Sequence, residues 1–115
     1  MKTKTFRRIA LGFEGAVESA HMGHPDFRAN GRVFATLKAD MEFGAVKLTP
    51  DEQQTFIRDH PEVFAPESGA WGRGGWTRVR LDSVDEEVLG EAMTLAWQQT
   101  ATAAAAKRTP PSRKR

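Results

Sequence analysis

Strict alternation from Trp76 to Asp82, just after the glycine-rich run Gly72-Arg73-Gly74-Gly75, is the feature that most narrows what this chain can become. Side chains on a strand point alternately to opposite faces. A strand here sends Thr77, Val79 and Leu81 to one side and Trp76, Arg78, Arg80 and Asp82 to the other. The first face belongs against a core. The second sets an indole beside two guanidinium groups, a combination that stacks on a base or another π-system and makes charge-assisted contacts to phosphate or carboxylate. The same residues also suit an ordinary solvated sheet face, with Trp76 lying across the arginine stems.

At 115 residues the chain has room for one hydrophobic core. It contains no cysteine, which removes disulfides, thiolate metal sites and a cysteine nucleophile, and suits a reducing compartment. The N-terminal residues lack the apolar run of a signal peptide. No segment approaches the roughly 20 apolar residues of a membrane span, so a soluble, cytoplasmic protein with no membrane partner is expected. Charge is unevenly spread. Lys107, Arg108, Arg113, Lys114 and Arg115 are five of the 17 basic residues, which leaves twelve against 15 acidic residues in the rest of the chain. The sequence pI near 9.3 is therefore a property of the tail. An acidic body does not attract a polyanion by its overall field, so binding to nucleic acid would need a local patch or the tail itself.

Phe6, Ile9, Ala10 and Leu11 fall at helical spacing and predict an amphipathic helix over residues 4–12 with a basic outer face. Four extended runs follow, around Val17–Met22, Asp26–Ala29, Arg32–Ala39 and Phe43–Leu48. Asn30-Gly31 forms a two-residue hairpin turn, and Asp40 lies in a second tight connection. Thr49-Pro50-Asp51-Glu52 predicts a helix start with a capping box, and His60-Pro61 ends that helix. Residues 63–67 read as an irregular connection with Phe64 buried, and Gly69–Gly75 as a flexible loop before an edge strand. Ser83 and Glu86 repeat the capping-box pattern ahead of a long helix striped with Val88, Leu89, Ala92, Met93, Ala96 and Trp97. The order α-β-β-β-β-α-β(β)-α implies an α+β domain over residues 1–106, an antiparallel sheet with helices packed on one face. Residues 107–115 form a disordered basic tail.

Two motifs carry a family resemblance. The run from His24 to Leu37, with its hairpin turn, Arg32 and the pair Phe34-Ala35, resembles the MmcQ/YjbR family. So does Gly75-Trp76-Thr77-Arg78-Val79-Arg80-Leu81, with a tryptophan opening a late strand. The resemblance covers about residues 4–100 and implies a frataxin-like (CyaY-like) fold and a non-enzymatic, double-wing DNA-binding role. Arg32, Phe34, Trp76 and Arg78 occupy the motif positions, with Phe34 open to a core role instead. Frataxin-like iron binding is not expected, because Lys2, Lys4, Arg7 and Arg8 stand on the first helix where carboxylates would be required.

Parity extends the site. Arg32, Phe34, Thr36 and Lys38 share one face of the third strand, and Phe43, Ala45 and Lys47 one face of the fourth. The opposite faces, Val33, Ala35 and Leu37 with Val46 and Leu48, are apolar. The nucleic-acid candidates are thus Trp76, Arg78, Arg80, Arg73, Arg32, Lys38 and Lys47, joined by the tail residues Lys107, Arg108, Arg113, Lys114 and Arg115. The partner is DNA or RNA, or alternatively an acidic protein, and the protein is a monomer or weak homodimer. His21 and His24 near Glu18 and Asp26 do not share one strand face, so no metal site is expected. Asp51, Glu52, Asp85, Glu86 and Glu87 sit in first helical turns, where the helix dipole accounts for them. No serine has a nucleophile context, and no cofactor or catalytic residue is expected.

Overall fold

The computed structural model describes residues 2–38, 40 and 42–108. Four helices, α1 (Lys2–Leu11), α2 (Pro50–Asp59), α3 (Gly69–Arg73) and α4 (Glu86–Arg108), accompany a sheet of β1 (Val17–His21), β2 (His24–Ala29), β3 (Arg32–Leu37), β4 (Phe43–Lys47), β5 (Phe64–Pro66) and β6 (Trp76–Arg80). All pairings are antiparallel, in the order β1-β2-β3-β4-β6-β5. This is the α+β architecture expected from the pattern of runs. The first four strands form a meander, while β6 returns to lie beside β4. The hairpin between β2 and β3 is closed by Asn30 and Gly31 at φ 54° and 75°, the left-handed pair that matches strand twist.

One sheet face is sealed. Phe6 and Ala10 from α1 and Leu89, Ala92, Met93 and Ala96 from α4 bury against Phe27, Ala29, Leu37, Val46, Val79 and Leu81. Phe6 meets Phe27 at a centroid distance of 5.8 Å. The one polar group of β6 on this side, Thr77, is fully buried. Its hydroxyl donates to the Gly75 carbonyl at 2.9 Å and lies 3.2 Å from the Gln53 side-chain amide. Burial of such a group is tolerated because it is fully hydrogen-bonded.

The capping box at Thr49 forms as read. Its hydroxyl accepts from the Glu52 amide at 3.1 Å, and the Glu52 carboxylate accepts from the Thr49 amide at 2.9 Å.

Four local expectations are corrected. Alternation breaks in β3, where Phe27 pairs with Ala35 but Arg28 pairs with Val33, leaving Phe34 as the extra residue of a bulge. Phe34 therefore turns inward, buried and edge-on to Phe13 at 6.1 Å, while Val33 turns to the open face. Ser83 does not cap α4. Its hydroxyl donates to Asp82, and Asp85 caps instead, accepting from the Glu87 amide at 3.2 Å. The connection at residues 64–66 is strand β5, so β6 is an interior strand and not an edge. The glycine run contains α3, with Gly72 buried. A Cβ at Gly72 would fall 1.8 Å from the Glu67 carbonyl oxygen, so only glycine permits the chain to fold back this tightly.

α4 continues through Arg108, so Lys107 and Arg108 belong to its last turn. Arg113, Lys114 and Arg115, with the remainder of the predicted tail beyond Arg108, lie outside the described residues.

Candidate nucleic-acid interface

The face opposite α1 and α4 gathers the expected side chains of β4 and β6, whereas on β3 Arg32 pairs with the core residue Ala29 and leaves this face together with Phe34. Register places Phe43 opposite Arg80, Ala45 opposite Arg78 and Lys47 opposite Trp76, so these residues share one side. The Arg78 and Arg80 guanidinium carbons stand 5.5 and 5.1 Å from the Phe43 ring centroid, one aromatic serving two cations. Phe43 is thereby half-covered on the open face, as the parity of β4 requires.

The other cations expected at the site divide by partner. Lys38 donates to Glu67 at 2.9 Å. Arg28 makes a two-pronged contact with the fully buried Asp26 carboxylate, at 2.8 and 3.0 Å. The hydrogen bond that Arg28 donates to Asp26, and then the Asp26 charge, hold its guanidinium above its usual basicity, against a smaller opposing effect of desolvation. Arg28 is therefore a fixed cation. By contrast Arg78, Arg80, Lys47, Arg32 and Arg73 have no carboxylate partner among the described residues. Arg73 is exposed at the C-terminal end of α3, removed from the strand register that unites the others.

One concavity lies on this face, and a second opens at the end of the sheet beside α4. A cleft of about 550 Å³ runs between Trp71 and Trp76 on one side and His24 and Arg28 on the other, with Thr36 and Ala45 in its lining. A smaller hollow of about 360 Å³ holds Arg32 and Lys47 and reaches Gln99 and Thr100 of α4. Val33 and Trp76 line both. Trp76 is thus half-buried between the two, while Trp71, edge-on to it at 6.5 Å, is 69% exposed.

Trp71, Arg28 and Asp26 escaped the sequence reading of this site. Trp71 had no periodicity to reveal it within a five-residue helix. Asp26 and Arg28 did carry a signal: opposite charges two residues apart on a strand share a face.

Among the residues weighed as metal ligands, Glu18 and Asp26 lie on opposite faces. Glu18 faces the helices, where Arg7 holds it at 3.2 Å, and Asp26 lies beneath Arg28 on the other side. Among the described residues no group of three or more His, Asp or Glu side chains gathers to hold a metal. No helix among them is long and apolar enough to cross a membrane.

The fold has a solved counterpart in the crystal structure of Deinococcus radiodurans protein DR2400, assigned to the DUF419 domain. The two superimpose with a TM-score of 0.72 at 20% identity, covering 84% of this chain and 76% of that one. Among curated proteins none matches. The YjbR family model aligns with residues 11–99, from the end of α1 through both motifs and most of α4, and the chain belongs to the YjbR family.

Proposed function

We propose that this protein binds nucleic acid, without catalysing a reaction, through the open face of its sheet. The observation that carries the reading is the trio of Arg78, Arg80 and Phe43, two guanidinium groups spread over one ring with no carboxylate to neutralise them. Charges so placed are free to meet phosphates, and the ring restricts the directions in which they reach. Lys47 extends the positive strip along β4, and Trp76 supplies an aromatic wall beside it. Lys107 and Arg108, together with Arg113, Lys114 and Arg115, add attraction that does not depend on sequence.

Fluorescence anisotropy on labelled DNA across a salt series tests the proposal. Charge reversal at both Arg78→Glu and Arg80→Glu should weaken binding by tenfold or more and make the log–log salt slope shallower by about 1.5 to 2, the loss of two phosphate contacts. Unchanged affinity in that variant sinks the sheet-face reading and leaves the tail as the binding element. A complex with an acidic protein would survive nuclease treatment, whereas one bridged by nucleic acid would not.

A further inference from the structure

We infer that the ligand is a single strand, held by one unstacked base in the cleft bounded by Trp71 and Trp76 and by an adjoining phosphate in the hollow at Lys47 and Arg32. The inference rests on the nucleic-acid reading and narrows it.

The shape of the face is the first argument. A duplex is read by an element that projects into a groove. This face is instead hollowed, and its larger cleft, at about 550 Å³, falls in the range of pockets that enclose small planar ligands. The second argument is the state of Trp71. Its indole is held edge-on against Trp76 and is otherwise mostly bare, so it presents ring surface on which a base can stack. The ends of the cleft are polar. Arg28, Thr36 and the Lys38–Glu67 pair provide donors and acceptors for a base edge.

Charge supplies the third argument. The smaller hollow contains Lys47 and Arg32 and no carboxylate among its lining residues, which fits an anion. The two concavities share Trp76 and Val33 as a common wall, so a planar group in one and an anion in the other sit side by side, as the parts of a nucleotide do. α4 passes this hollow at Gln99 and Thr100 and continues to Arg108. At the helical rise, the helix backbone at residue 107 lies about 10 Å further along the axis.

The test uses the full chain and three labelled ligands of equal length: an oligothymidine, the same backbone with every base removed, and a duplex. Oligothymidine should bind about tenfold more tightly than the base-free strand, the scale of one base–aromatic stack, and more tightly than the duplex at the same salt. Trp71→Ala should erase the preference for bases while leaving affinity for the base-free strand unchanged. Because Trp71 is exposed, that variant keeps the folded core. Lys47→Gln should lower affinity for both strands alike. Equal binding of base-containing and base-free strands overturns the inference while the nucleic-acid reading stands, and so does a tenfold preference that survives Trp71→Ala. Thymidine monophosphate binding as tightly as the strand would reassign the cleft to a small ligand. Failure of all three oligonucleotides to bind would sink the broader reading with it.

Discussion

The two faces of β6 are built from adjacent residues to opposite specifications. Thr77 and Val79 are fully buried, and every polar atom on that side meets a partner. Arg78 and Arg80, interleaved with them, stand over the face of Phe43 with no carboxylate partner among the described residues. Among the described residues no buried side-chain polar atom lacks a hydrogen-bond partner, whereas Arg78 and Arg80 on the open side have no carboxylate partner. If the open face binds as proposed, substitutions on the helix side should change folding, and those on the open side should change binding with little effect on folding.

The most disruptive way to probe this division is Phe27→Ala. Phe27 is fully buried against Phe6, and its removal should cost roughly 3 to 5 kcal/mol in urea unfolding, from lost transfer energy and the cavity left behind. A loss below 1 kcal/mol would mean that this face is not the core of the fold. Gln53→Leu should have an intermediate effect. The Gln53 amide lies within 3.2 Å of the Gly72 and Trp76 carbonyls and the Thr77 hydroxyl, and stranding these buried acceptors should cost about 1 to 3 kcal/mol. Since the same amide ties α3 to β6, the variant should also weaken discrimination between base-containing and base-free strands, and an unaltered preference would show that α3 stays seated without it. Arg78→Ala should be smallest in stability, within about 0.5 kcal/mol, since a half-exposed cation over a ring adds little. A large destabilisation there would show that Arg78 serves the fold and would break the contrast between the faces.

Arg28 bridges the two specifications, being on the open face yet tied to a buried carboxylate. The Asp26 carboxylate holds the Arg28 guanidinium above its ordinary basicity. A raised basic group stabilises the fold at every pH below its unfolded value and loses that effect only as pH climbs through the folded one. The stability gap between the native chain and Arg28→Met should therefore be the same at pH 6 and pH 9 in denaturant titrations. A gap that changes with pH in this window would assign the coupling to another group.

Alternation in β4 and β6 was legible because those strands are regular. A period of two, once started, fixes each residue's side, and Phe43, Lys47, Arg78 and Arg80 all stand where parity puts them. In β3 the same logic misplaces Arg32, Phe34 and Val33, because a bulge adds a residue without leaving a mark in the hydrophobic pattern. The capping box at Thr49 was legible from local chemistry. Ser83 offered the same pattern, but α4 begins at Glu86, and the nearer Asp85 takes the capping role. β5 and α3 were hidden for a different reason. They are too short for periodicity and owe their form to tertiary contacts, β5 to pairing with β6 and α3 to the close approach of Gly72 to Glu67. Trp71 went unseen with them, and so did the cleft that it bounds.

The seating of α3 has an entropic consequence. An exposed indole on a loose glycine loop would have to surrender many backbone states whenever it gripped a ligand. Here the backbone carrying Trp71 is fixed already, pressed onto Glu67 at Gly72 and held from α2 by Gln53. Ordering of this segment is accomplished when the domain folds, so an encounter at Trp71 has little more than two side-chain torsions left to restrict, and contact there converts more fully into affinity.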